Sequence, residues 1–142
     1  MQTQTQTQQT GELLGEIRGK TVSRSIKEIT PLGVRLEINN EGKFAGGKYV
    51  ANHIETVNVF QGLDGSLQWE TKGLDMTTEG ETVVISGRGT GKATGPSTIW
   101  AEGEAVYMTQ SPRLAFLNTT KARLEVTANN QTGEFEIKVY SR

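Results

Sequence analysis

His53 is the only histidine in the chain, so any histidine-dependent chemistry must use it. Residues two apart in a strand lie on the same face, which places Glu55 beside His53. Such a pair can act as a general base, or bind a metal ion with a third ligand from another strand. The alternative is a solvated strand face without chemistry. We predict no metal site and no cofactor.

Two aromatic residues fall on the apolar faces of predicted strands. Trp69 shares a face with Leu67, and Tyr107 shares one with Ile99 and with the small residues between them. Buried tryptophan and tyrosine need a partner for their polar tips, and they often line ligand cavities. We predict a pocket lined by Trp69, Tyr107 and Ile99, with Val83 and Ile85 completing its wall. Core filling by the same side chains is the alternative.

Three further carboxylates bear on the chemistry. Glu102 and Glu104 alternate with small residues, so they are predicted to point outward if the small residues face the interior. Glu102 and Glu104 could act together in catalysis only if the strand register were reversed, so that both pointed into the barrel. Glu70 is assigned to the ligand site together with His53, and both are candidates, with Tyr107, for proton transfer.

Glycines cluster in residues 87–92, with the sequence GRGTGK. A phosphate-binding loop needs a glycine separated by four residues from the Gly-Lys pair, and serine or threonine after that pair, whereas Ser86 and Ala93 stand at these positions. No helix follows to direct its N-terminus at a phosphate. These glycines are predicted to serve a strand that coils or makes room for a neighbouring side chain.

Alternating apolar and polar residues extend over most of the chain and define the elements that must position these groups. The predicted strands cover residues 16–29, 34–38, 43–61, 66–76, 81–93, 98–109, 119–128 and 134–139. Eight strands joined by short turns predict an all-β, antiparallel up-and-down barrel, which removes exposed edges. A two-sheet β-sandwich is the alternative.

Turn residues mark the connections. Residues 39–42 (NNEG) predict a hairpin, and so does Asp64-Gly65. The pair Gly46-Gly47 predicts a bulge within the third strand. One short helix is predicted over residues 111–118, with Ser111 as N-cap and Pro112 at the first helical position.

The composition narrows the function. The 142 residues include 17 glycines and no cysteine, and only 34% are hydrophobic. Thiolate catalysis, disulfides and iron–sulfur clusters are therefore excluded. The net charge of −1, with no basic stripe, argues against a nucleic-acid partner. No signal peptide or membrane-length apolar run occurs, so we expect a cytoplasmic protein without a membrane partner.

Residues 1–10 alternate glutamine and threonine and are predicted to form a disordered tail, with an edge strand as the alternative. Residues 11–142 are predicted to form the barrel domain.

The segment Tyr107–Asn118, with its T-x-S-P-x-L-x-x-L-N pattern, and the glycine-rich residues 80–95 resemble a family of small uncharacterised bacterial and archaeal proteins. So do Arg123-Leu124-Glu125-Val126 and the closing hairpin. That family is distantly similar to the allene oxide cyclase and dirigent group of eight-stranded barrels. The resemblance implies a barrel whose lumen holds an apolar substrate and steers its reaction by shape, but it transfers no functional residue to this chain.

Three hypotheses for the function follow. The first is a module that binds a small apolar ligand in the lumen. The second is an isomerase or cyclase with the same geometry. The third is a structural protein, or one that forms homo-oligomers, with a packed lumen.

Overall fold

The computed structural model describes residues 11–142, which form one closed antiparallel barrel. Each strand pairs with its neighbours in chain order, and β8 pairs with β1 to close the sheet. The predicted up-and-down barrel is confirmed, and the sandwich alternative is wrong, because closure leaves a single continuous sheet. The predicted tail, residues 1–10, lies outside the described residues. The strands are β1 Leu13–Thr30, β2 Gly33–Gly46, β3 Val50–Gly62, β4 Ser66–Thr77, β5 Thr82–Ala93, β6 Thr98–Thr109, β7 Lys121–Asn129 and β8 Glu134–Ser141.

Alternation of apolar and polar residues decides which face of each strand lines the interior. In β8, Phe135, Ile137 and Val139 are buried inside the barrel. In β6, the small residues Ala101 and Ala105 are buried. Small side chains on one wall leave space inside the barrel that larger ones would fill.

The predicted hairpin at residues 39–42 is wrong, because these residues lie within β2. Asn40 pairs with Thr21 of β1 and Glu55 of β3, and its side chain points into the barrel. Its amide hydrogen-bonds there to other polar side chains, so a turn-forming residue is accommodated in a strand. The connection between β2 and β3 lies instead at residues 47–49, so Gly46-Gly47 belongs to a turn and not to a bulge.

The two ends of the barrel differ. At the end that we call the helix end, β6 and β7 are joined by a segment containing a 3-10 helix, Ala115–Thr119. Ser111 accepts a hydrogen bond from the Leu114 amide, as an N-cap does, but regular helix begins only at Ala115. Leu114 and Leu117 are buried and close this end. The opposite end, called the hairpin end, carries the turns at residues 31–32, 63–65, 94–97 and 130–133.

The segment that carries the 3-10 helix is fastened to two neighbouring turns at the helix end. The Arg113 guanidinium donates to the Glu81 carboxylate at 2.5 and 3.2 Å and to the Lys48 carbonyl at 2.7 Å. The Ser111 hydroxyl donates a short hydrogen bond to Glu81 as well. Hydrogen bonds from Arg113 and then Ser111 lower the pKa of Glu81 to about 2.

Helices within the described residues are too short to span a membrane.

Candidate functional site

A cavity of about 180 Å³ lies inside the barrel. Its wall is mostly apolar and includes Ile17, Val59, Leu67, Ile85, Leu124 and Ile137. Toward the hairpin end the lining includes the exposed residues Arg24, Gln61 and Asn130, which form the mouth. An apolar cavity of about 150 Å³ can hold one benzene molecule, so this one suits a ligand the size of a single ring.

Trp69 forms part of the cavity wall, and its indole packs against Gly89 of β5 and Gly103 of β6. A Cβ atom at Gly89 would lie 2.5 Å from the indole, and one at Gly103 would lie 2.6 Å from it. The indole N–H donates to the carbonyl of Thr90 at 3.2 Å, which satisfies its polar tip. The glycines therefore make room for tryptophan, as their position in a strand predicted.

Tyr107 and Ile99 also line the cavity. Tyr107 is only 5% exposed, yet its hydroxyl makes no hydrogen bond within residues 11–142. No fully buried side-chain nitrogen or oxygen in this range lacks a partner, so the hydroxyl oxygen keeps some accessible surface. Burial, and then the charge of Asp75, raise the pKa of Tyr107, which keeps the phenol protonated.

Glu70 does not belong to this site, so its assignment to the ligand pocket is wrong. It follows Trp69 directly in β4, and successive side chains point to opposite faces. Glu70 is therefore exposed on the outer surface, opposite Asn58 and Arg88 of the neighbouring strands. Glu102 and Glu104 also lie on the outer face, as predicted.

His53 and Glu55 point into the barrel, where they join a buried chain of polar side chains near the helix end. His53 Nε2 lies 2.8 Å from Glu55 Oε1, and Nδ1 lies 2.6 Å from Asp75 Oδ1. The Tyr49 hydroxyl donates to Asp75 Oδ2 at 3.0 Å. At the other end of the chain, Asn40 Nδ2 donates to Glu55 Oε2 at 2.8 Å.

We call this row of buried side chains, Asn40, Glu55, His53, Asp75 and Tyr49, the polar chain. It contains one cation, the His53 imidazolium, between the carboxylates of Glu55 and Asp75. Burial lowers the pKa of His53, but hydrogen bonds from its ring to Asp75 and Glu55 outweigh burial and raise the pKa to about 9. Burial and the charge of Asp75 raise the pKa of Tyr49, so this phenol remains a donor. Both ring nitrogens of His53 are committed to carboxylates, which leaves no lone pair for a metal ion. Described residues include no cluster of three or more histidines and acids suited to hold one.

Three members of the polar chain were not predicted from the sequence to be site residues: Asp75, Asn40 and Tyr49. A signal for Asp75 was present, since the inward positions of β4 continue from Trp69 through Thr71 and Gly73 to it. Gly73 also leaves space for the imidazole, because a Cβ there would lie 3.2 Å from His53 Cε1. Asn40 was missed because its surroundings resemble a turn.

Comparison with known proteins identifies the fold and not the activity. No protein-family model and no curated protein matches this chain. The chain is similar to the crystal structure of a protein with unknown function from Clostridium acetobutylicum, with a TM-score of 0.82, 13% identity and coverage of 92% of this chain and 94% of that one. A β-barrel-like protein from Acinetobacter baumannii gives a TM-score of 0.80, 16% identity and coverage of 92% and 93%.

An enzyme from Penicillium herquei is also similar, with a TM-score of 0.66, 15% identity and coverage of 90% of this chain and 92% of that one. At these identities the likeness concerns the fold alone. The resemblance to the allene oxide cyclase and dirigent group stays a prediction.

Proposed function

We propose that the barrel binds one small, largely apolar molecule in its lumen, with the polar group of that molecule directed at Tyr107 and Glu55. The observation that carries this proposal is a mostly apolar cavity of about 180 Å³ whose wall includes Tyr107, a residue with no hydrogen-bond partner for its hydroxyl within residues 11–142. Ligand sites combine apolar walls with a few convergent polar groups. A ligand that bonds to Tyr107 would satisfy a buried hydroxyl that otherwise lacks a partner.

Filling the cavity from its wall tests this proposal. Ala101 lines the cavity, so Ala101→Leu adds three carbon atoms to the space that the ligand would occupy. Benzyl alcohol, a single ring with one hydroxyl, serves as the probe in thermal unfolding and calorimetric titration. At ten times its Kd, it should stabilise the wild type by about 1.4 kcal/mol.

Ala101→Leu should abolish this stabilisation and leave the fold intact. Glu102→Leu is the matched control, because it adds a leucine at the next position of β6 on the outer face and should bind like the wild type. Equal binding by wild type and Ala101→Leu would place the probe outside the lumen and refute the proposal. Absence of any binding to the wild type would favour the packed structural barrel.

A second candidate, an isomerase or cyclase, is favoured by the presence of Tyr107 and Glu55 among the residues that line the same cavity. A protonated phenol can donate to a carbonyl oxygen while a carboxylate removes a proton from the adjacent carbon. The fold is also that of the Penicillium enzyme. The test is proton exchange at the α-carbons of cyclohexanone in deuterated buffer, followed by NMR. Exchange that is accelerated by the wild type and slowed in Tyr107→Phe would support catalysis, whereas exchange at the buffer rate would leave binding alone.

A further inference from the structure

The buried polar chain has a charge that can be obtained by counting protons. Each of the two short contacts of His53 joins a ring nitrogen to a carboxylate oxygen, and each needs one proton. The remaining oxygens of Glu55 and Asp75 accept hydrogen bonds from Asn40 and Tyr49. Two protons are therefore shared among one imidazole and two carboxylates.

The sum does not depend on where those protons reside. An imidazolium between two carboxylates carries a net charge of −1. A neutral imidazole between one carboxylate and one carboxylic acid carries the same charge. The interior wall of the barrel thus holds one negative charge that is not neutralised within the chain of His53, Glu55 and Asp75.

No other described group cancels this charge inside the lumen. Arg24 is the one lysine or arginine among the described residues that line the cavity. It is exposed at the mouth, and its guanidinium lies 3.4 Å from the Asn130 carbonyl. Among residues 11–142, Arg24 forms no ion pair with Glu55 or Asp75. A negative charge of low exposure beside an apolar cavity attracts a cation more strongly than one in water does.

Aromatic rings add a second attraction for a cation. Trp69, Tyr107 and Phe135 all line the same cavity. The faces of such rings attract positively charged groups that approach within about 6 Å. Glu55, which also lines the cavity, has lone pairs beyond those used by His53 and Asn40.

We infer that the lumen selects a small apolar molecule with one positive charge, such as a protonated primary amine, over neutral or anionic molecules of the same size. This inference rests on the proposed ligand-binding function and names the chemical class of its ligand. The charge of the ligand would compensate that of the polar chain, while its ring would occupy the apolar part of the cavity.

Three probes of matched shape test the inference on the full-length protein. Benzylamine, benzyl alcohol and benzoate each present one ring and differ mainly in charge at pH 7.5. Calorimetric titration at low salt should give benzylamine a Kd at least about tenfold lower than that of benzyl alcohol. Benzoate should not bind, since its charge would oppose that of the polar chain.

Glu55→Gln links the preference to the polar chain. The glutamine oxygen can still accept from His53, while reversal of the Asn40 amide restores the other hydrogen bond. The proton count then gives the polar chain a net charge of zero. The Kd values of benzylamine and benzyl alcohol should therefore become about equal. Glu70→Gln is the matched control: it removes a carboxylate from the outer face and should keep the wild-type preference.

The outcomes separate this inference from the function on which it rests. If benzyl alcohol or benzoate binds the wild type as tightly as benzylamine, the lumen binds ligands but does not select by charge, and only the inference is overturned. If none of the three probes binds, lumenal binding fails as well. The wild-type titrations decide between these outcomes even if Glu55→Gln does not fold.

Discussion

Raising the pH should destabilise this protein through His53, in a window where few other groups titrate. The pKa of His53 is raised from 6.5 to about 9 in the fold. At about 1.4 kcal/mol per pKa unit, the protonated form contributes about 3 kcal/mol of stability. Because the folded pKa lies above the unfolded value, this contribution is complete below pH 6.5 and is lost as the pH rises through 9. Above that pH the neutral imidazole carries only one N–H, so one of the two contacts between His53 and the carboxylates of Glu55 and Asp75 is no longer a hydrogen bond.

Urea unfolding, measured from pH 6 to 10, reports this loss as a falling free energy of unfolding. The chain has no cysteine and no second histidine, so no other side chain ordinarily titrates between pH 6.5 and 9. NMR of the imidazole carbons gives the folded pKa directly and without assignment. His53→Gln should be about 3–5 kcal/mol less stable, because it leaves buried carboxylates without their cation, and it should lose the pH dependence. A wild-type midpoint near 6.5, or constant stability up to pH 9, would refute the reasoning.

Three further changes test the wall and the closed end of the barrel, and a fourth, Gly47→Ala, is the control for the first. Gly103→Ala should cost about 1–3 kcal/mol in urea unfolding, since its methyl would lie 2.2 Å from a backbone oxygen and 2.6 Å from the indole of Trp69. Gly47→Ala, with no atom within 4 Å of the added methyl, should be neutral. Trp69→Ala should cost about 3 kcal/mol, at the low end for large core truncations because the indole borders the cavity; an unchanged denaturation midpoint would contradict this. Arg113→Ala removes the hydrogen bonds to Glu81 and the Lys48 carbonyl, so the Leu117 amide hydrogen should exchange faster with solvent. Unchanged protection of this amide would show that Arg113 does not hold the segment that carries the 3-10 helix.

Much of the fold could be predicted from local patterns. Alternation in β6 to β8 identified strands and their buried faces, because a half-buried strand requires a period of two. Asp64-Gly65 marked a real hairpin, with Gly65 at a φ of 88° that glycine adopts without strain. The same parity rule placed Trp69 inside and should have placed Glu70 outside.

The sequence by itself determined that the chain alternates, turns sharply and forms an all-β fold with small residues on one strand face, whereas the structure decided between a closed barrel and a two-sheet sandwich. It also determined that Trp69 and Tyr107 face the interior. Only the tertiary structure decided that Asn40, Glu55, His53 and Asp75 meet. These residues come from three strands, and polar side chains on the inner face give the same alternation as polar side chains facing water. Strand register brings them together, since a shift of one residue would turn each side chain to the other face.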